Sequence, residues 1–232
     1  MIRLLSALLS FALVAAANAA PPASVKASYD VFKDGTQVAV VQETFEKKGA
    51  KYQIVSESNP AGLLALFVRT RIKALSTGVV TQTGLRPEQF DYGRLDDATK
   101  NVSATFDWKS EQLRLTFDGR NETVALPPDT QDRVSLMYQF MFLAAGKLDS
   151  LEFHMTNGKK IEPYRYQLAG RETIDTPLGK LSTLHLVKQR DADDNAVDVW
   201  LAAERNLIPV KLVIVENDGS KFEQVITQLE FK

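Results

Sequence analysis

Two histidines, no cysteine and 29 acidic residues are the stock from which this 232-residue chain must draw any chemistry. A Ser–His–Asp site would have to use His154 or His185. His154 shares strand parity with Glu152 and Thr156, the pattern of an outward face, and His185 sits between Leu184 and Leu186 as a packed or rim residue. Asp107, Glu172 and Asp175 are available for glycosidase-like chemistry, yet their spacing selects no pair. The run Asp191-Ala192-Asp193-Asp194-Asn195 places oxygen ligands at alternate positions, as a calcium loop does, but Ala196 stands where that loop needs Gly and Ala202 where it needs Glu. It reads as an acidic hairpin tip. The nucleophile-elbow, zincin, phosphate-loop and dinucleotide motifs are absent from the sequence, and the lack of cysteine removes thiolate nucleophiles and sulfur-based metal sites. No cofactor or metal is therefore called for. A net charge of −1 lacks the basic excess that phosphate-backbone binding requires, so nucleic acid is not an expected partner.

Elements that position these residues begin after an N-terminal address. Arg3 precedes an apolar run from Leu4 to Ala17, and Ala17-Asn18-Ala19 fits the small-x-small cleavage rule. Residues 1–19 are read as a cleaved signal peptide, with the cut after Ala19 and no transmembrane span left behind. The run falls short of the ~20 residues a bilayer span needs, and no cysteine follows it to carry a lipid anchor. Residues 20–232 form one domain. From Val25 onward the text alternates: Val25, Ala27, Tyr29 and Val31 share one face, Lys26, Ser28 and Asp30 the other. Similar short runs follow to Phe231, punctuated by Asp34-Gly35, Lys48-Gly49, Asp118-Gly119, Asn157-Gly158, Pro177-Leu178-Gly179 and Asp218-Gly219. That layout predicts an all-β, mainly antiparallel fold, a curved meander sheet forming a barrel or half-barrel.

One segment departs from the alternation. Asp129-Thr130 offers N-cap oxygens, Asp132 puts negative charge in a first turn, and Gly146 supplies a stop, which predicts a helix over about 131–145. Its interior is apolar on nearly every side, so the sheet is expected to surround it. At ~22 Å it is too short to cross a bilayer. Met137 and Met141, flexible and one turn apart, would line any pocket it leaves. A second apolar run, Leu63-Leu64-Ala65-Leu66-Phe67-Val68, follows Asn59-Pro60-Ala61-Gly62 and reads as a strand entry or core loop, with a lid as the functional alternative. Next come Arg69, Arg71 and Lys73 on one strand face, a stripe expected in solvent, with contact to an anionic membrane or acidic ligand as the other reading.

Several texts carry a resemblance. Asp132-Arg133-Val134-Ser135-Leu136, Glu172-Thr173-Ile174-Asp175-Thr176-Pro177-Leu178-Gly179, and Trp200-Leu201-Ala202 followed by Ile208-Pro209-Val210 resemble those of a bacterial envelope family known as domain of unknown function 3108. Gly84-Leu85-Arg86-Pro87 and Phe106-Asp107-Trp108 fit it as well. The resemblance covers essentially the whole chain after the leader. It implies a Gram-negative periplasmic setting, in which the sequons at Asn101 and Asn121 would go unused. It brings no activity and no catalytic residue. The layout is also similar to the envelope lipoprotein-carrier fold, a curved antiparallel sheet wrapped round a helical plug.

These readings converge on an exported periplasmic protein that binds or carries an apolar or amphiphilic cell-envelope molecule. The expected ligand-binding residues are Leu63, Leu64, Phe67, Met137, Phe140 and Met141, the apolar surplus that a plain barrel does not require. An assembly factor holding another envelope protein is the alternative. A hydrolase of glycans or lipids comes third, and enzymatic activity stays open behind a binding role.

Overall fold

The computed structural model describes residues 21–67, 70–143, 148–191 and 194–232. The leader, Val68, Arg69, the C-terminal end of the expected helix and Asp193 lie outside the described residues, as does the side chain of Leu64. Fifteen strands follow one another: β1 Ser24–Lys33, β2 Thr36–Lys48, β3 Lys51–Pro60, β4 Ile72–Thr81, β5 Gly84–Arg94, β6 Val102–Asp107, β7 Gln112–Phe117 and β8 Arg120–Ala125, then β9 Gln131–Asp132, β10 Ser150–Thr156, β11 Ile161–Thr176, β12 Gly179–Gln189, β13 Ala196–Ala202, β14 Pro209–Val215 and β15 Lys221–Phe231. Alternation makes them. In β1, Val25, Ala27 and Tyr29 are buried while Lys26 is exposed. Asp34-Gly35 and Asp118-Gly119 join their strands with positive φ at both residues, the two-residue turn whose twist matches a hairpin.

All fifteen strands form one sheet, in the order β8-β7-β6-β5-β4-β3-β2-β1-β15-β14-β13-β12-β11-β10-β9. Its middle is where the first and last strands meet: β1 pairs antiparallel with β15 from Val25↔Phe231 to Lys33↔Phe222. The two edges, β8 and β9, come from mid-chain. No ladder joins them, so the sheet is open, and the expected barrel or half-barrel does not form. The physical reason lies in what covers the apolar face. Side chains of the segment after β8 reach across it and tie to β2, β4 and β5, burying that face without edge-to-edge pairing.

That segment also departs from the expected helix. It holds β9, which pairs parallel with β10 through Met155↔Gln131 and Thr156↔Asp132, then a five-residue helix α1, Ser135–Gln139, and a 3-10 turn, Phe140–Phe142. The start is delayed because the backbone of Gln131 and Asp132 is taken by β10. The stop comes early because the aromatic residues crowded from Tyr138 onward are weak helix formers, and Leu143 is already extended at φ −88° and ψ 143°. No helix among the described residues is long and apolar enough to cross a membrane.

Two apolar clusters meet on this segment. Tyr138 and Met141 belong to the first, with Phe45, Ile54, Phe90 and Leu115 from the N-terminal strands. Leu136 and Phe140 belong to the second, with Phe153, Tyr166, Leu186 and Val199 from the C-terminal strands. Strand β11 runs unbroken over sixteen residues, and its register against β12 slips between Leu168 and Gly170.

Candidate functional site

Asp132 starts the site. Its Oδ1 accepts the backbone N–H groups of Val134 at 2.9 Å and Ser135 at 2.8 Å, and its own N–H donates to Ser135 Oγ at 2.9 Å. This reciprocal cap, rather than Asp129 or Thr130, begins α1. Oδ2 accepts the Ser76 hydroxyl at 2.5 Å, and Ser76 Oγ lies 3.1 Å from Tyr52 Oη, which fixes the segment to β3 and β4. Burial pushes the Asp132 carboxyl above its usual range, outweighing these bonds.

At the other end of α1, Gln139 clips the turn between β4 and β5. Its Nε2 donates to the Thr83 carbonyl at 2.9 Å and its Oε1 accepts the Leu85 N–H at 2.7 Å. Gly84 makes this possible: a Cβ there would meet Gln139 Oε1 at 2.3 Å, and its φ of +121° suits glycine alone. Gln131 Nε2 adds a bond to the Leu85 carbonyl at 2.8 Å.

Between this fixed segment and strands β1 to β5, β14 and β15 lies a cleft of about 370 Å³, within the range of small-molecule sites. Val31, Val41, Ile72, Val134, Met137 and Phe222 give it apolar walls. Its polar lining includes Glu43, Arg133, Lys211 and Tyr29. Glu43 Oε1 accepts Ser56 Oγ at 2.9 Å and Oε2 accepts Tyr138 Oη at 3.1 Å. Burial raises its pKa, opposed by those two bonds and by the charge of Arg133. Arg133 itself is exposed, its guanidinium 5.2 Å from the centre of the Tyr92 ring. Lys211 pairs with Glu223 at 2.8 Å. The cleft thus combines apolar walls with the half-buried carboxyl of Glu43, an exposed Arg133 and a Lys211 that is paired with Glu223. A larger depression of about 530 Å³ is walled mostly by polar side chains such as Lys26, Gln42, Glu46, Glu57 and Glu230. It lacks an apolar bed.

The residues expected from sequence are dispersed. Met137 lines the cleft. Phe140 is fully buried, edge-on to Phe153 at 6.3 Å and to Tyr166 at 6.0 Å, and Met141 is buried in the first cluster; neither lines the cleft. Leu63 and Phe67 stand exposed on a 3-10 turn, Gly62–Leu66, and its end, outside the cleft. Sequence reading missed Glu43, although a signal existed: it shares inward parity with Val41 and Phe45 on β2.

Other sites weighed in the sequence have local roles. His185 stacks on Trp200 at 4.2 Å between centroids, with Nδ1 3.2 Å from Glu172 Oε1, on strand positions opposite in parity to the buried Leu184 and Leu186. Glu172 also accepts the Trp200 indole N–H. Asp107 caps its own turn by accepting the N–H groups of Lys109 and Ser110, both at 3.0 Å. Asp194 pairs with Lys188 at 3.0 Å. Among the described residues lining the cleft, Glu43 is the one carboxylate, so no pair of acids faces a substrate there.

Residues 24–227 match the model of a family described as "Protein of unknown function (DUF3108)". No curated protein sequence matches the chain. Among solved structures, a beta-barrel-like protein of domain of unknown function DUF1849 from Brucella abortus superposes with a TM-score of 0.60 at 10% identity, covering 92% of this chain and 99% of that one. At that identity the likeness concerns the fold alone; the ladder of the present chain is open. A protein with a YmcC-like fold from Bacteroides fragilis reaches a TM-score of 0.39 at 12% identity, covering 89% of this chain and 95% of that one. The lipoprotein LppX of Mycobacterium tuberculosis reaches 0.31 at 10% identity, covering 88% and 85%.

Proposed function

The chain belongs to the DUF3108 family of proteins of unknown function, and from that premise we propose that it is an exported periplasmic binding protein for an amphiphilic envelope molecule. The observation that carries the reading is the cleft beside α1, with apolar walls, a volume of about 370 Å³ and Arg133 at its rim. The apolar part of a ligand would lie along Val41, Val134 and Met137, and Arg133 would meet an acidic head group. Glu43 would face the ligand from the β2 wall, its carboxyl held above the ordinary range by burial and both its oxygens occupied by Ser56 and Tyr138. Export rests on the signal-type sequence of residues 1–19.

Binding without covalent chemistry fits this lining better than hydrolysis, because a single carboxylate faces the cleft. The reading is tested by titrating the protein with a fluorescent fatty acid. Saturable uptake is expected, and Met137→Trp, which fills the cleft from α1, should weaken it at least about tenfold. Uptake that is absent, or that is unchanged in Met137→Trp, would exclude the cleft as the binding site.

A further inference from the structure

The cleft beside α1 has a direction as well as a volume. On its floor, Tyr92, Ala74, Ser56 and Glu43 stand directly opposite one another on β5, β4, β3 and β2. Val41 and Tyr29, also paired, carry the floor from β2 to β1. Val31, Gln224 and Leu212 then continue it in one register line over β1, β15 and β14. The floor therefore runs across seven neighbouring strands rather than along them. At about 4.8 Å from strand to strand it spans roughly 29 Å before the twist of the sheet shortens it. A space of about 370 Å³ drawn out over such a span is a narrow groove.

Much of the polar lining is already engaged within the protein. Glu43 accepts Ser56 Oγ at 2.9 Å and Tyr138 Oη at 3.1 Å, Tyr29 Oη donates to the Pro209 carbonyl at 3.1 Å, and Lys211 pairs with Glu223 at 2.8 Å. A peptide or a sugar laid in the groove would meet groups whose bonds are taken, whereas an alkyl chain asks for none. At about 30 Å³ for each methylene-sized group, the volume holds roughly a dozen of them. A bilayer lipid brings two chains, each reaching ~15 Å to the membrane midplane, and so needs at least twice that space. On the footing of the cleft reading, we propose that the ligand is a single-chain amphiphile. Its one alkyl chain, about twelve carbons long, lies across the strands with its far end against Val31, Gln224 and Leu212. Its head group lies at the other end, where Arg133 rests on the Tyr92 ring.

The test is competition against the fluorescent fatty acid by octanoate, decanoate, dodecanoate, tetradecanoate and hexadecanoate, and by phosphatidylglycerol carrying one lauroyl chain or two. Affinity should rise about fourfold with each added methylene, the gain from burying one, as far as roughly dodecanoate, and then level off. The one-chain phosphatidylglycerol should compete, and the two-chain form with the same head group should be at least about tenfold weaker. Gln224→Trp, which fills the far end from β15, should bring the plateau about three carbons earlier, with circular dichroism and thermal unfolding reporting that it folds. Should it not fold, the comparison of one chain with two in the wild-type protein decides alone. Equal competition by the two phosphatidylglycerols, or a rise that continues unbroken to hexadecanoate, would overturn the single-chain assignment; so would an unmoved plateau in folded Gln224→Trp. Those outcomes leave the cleft as the binding site so long as Met137→Trp weakens uptake. Absence of uptake by the wild-type protein would remove the cleft reading and this assignment together.

Discussion

Two acids, Glu43 half-buried and Asp132 fully buried, carry most of what individual residues decide. Glu43 on β2 holds its proton more tightly folded than unfolded, because burial outweighs its bonds to Ser56 and Tyr138. The native state therefore binds more protons than the unfolded one between the ordinary value of 4.5 and the raised one, and stability falls as pH rises through that window. Glu43→Gln should raise the melting temperature at neutral pH, and the advantage should fade as pH is lowered toward 4.5, measured by thermal unfolding across pH. Asp132 has a different weight, since its carboxylate satisfies two backbone N–H groups and the Ser76 hydroxyl at once. Asp132→Ala should cost about 3 kcal/mol in urea unfolding, because it strands buried donors as well as losing the cap. Glu43 was legible, an acid at the inward parity of an apolar strand. Asp132 was read as a first-turn charge because its true partner, Ser76, lies 56 positions away and nothing local announces it.

Among the elements, the strands were the readable part and the helical segment the unreadable one. Alternation in β1 or β2 is local and survives burial on one face. The 131–145 segment is apolar on all sides, so its pattern has no period to fix a helix against other buried conformations, and the ladder with β10 and the clip to β5 decide instead. That clip is testable. Gly84→Ala should cost about 2 kcal/mol, since a Cβ enters the Gln139 amide at a positive φ. Gly84→Ala/Gln139→Ala should cost less than the sum of the single changes, measured by a double-mutant cycle in chemical unfolding. The open edge at β8 is blunted by its own sequence, with Arg120 and Glu122 exposed on it, a charged rim that discourages strand addition by a neighbour.

At the scale of the molecule, closure is what sequence could not give. Short strands with hairpin turns are common to barrels and open sheets, and the choice rests on whether the outermost strands meet; here β8 and β9 do not. What the ladder order gives instead is one joint between two meanders. Strands β1 to β8 pair in sequence, and so do β10 to β15; the β1–β15 ladder unites them across nearly the whole chain. Pairing over such a separation is slow because a long loop must close first. Amide protection in β1 and β15 should therefore trail that in β4 and β5 during refolding, as pulsed hydrogen exchange would record. The ends of that joint also touch: Ser24 N–H donates to the Lys232 carbonyl at 2.9 Å, and Lys232 N–H to the Ser24 carbonyl at 2.9 Å. A chain so arranged is nearly a ring. If a short linker joined those ends and the cut were moved to Pro127-Pro128, every strand from β10 round to β8 would follow its antiparallel neighbour in both sequence and space, one zigzag with the slow step written out of it.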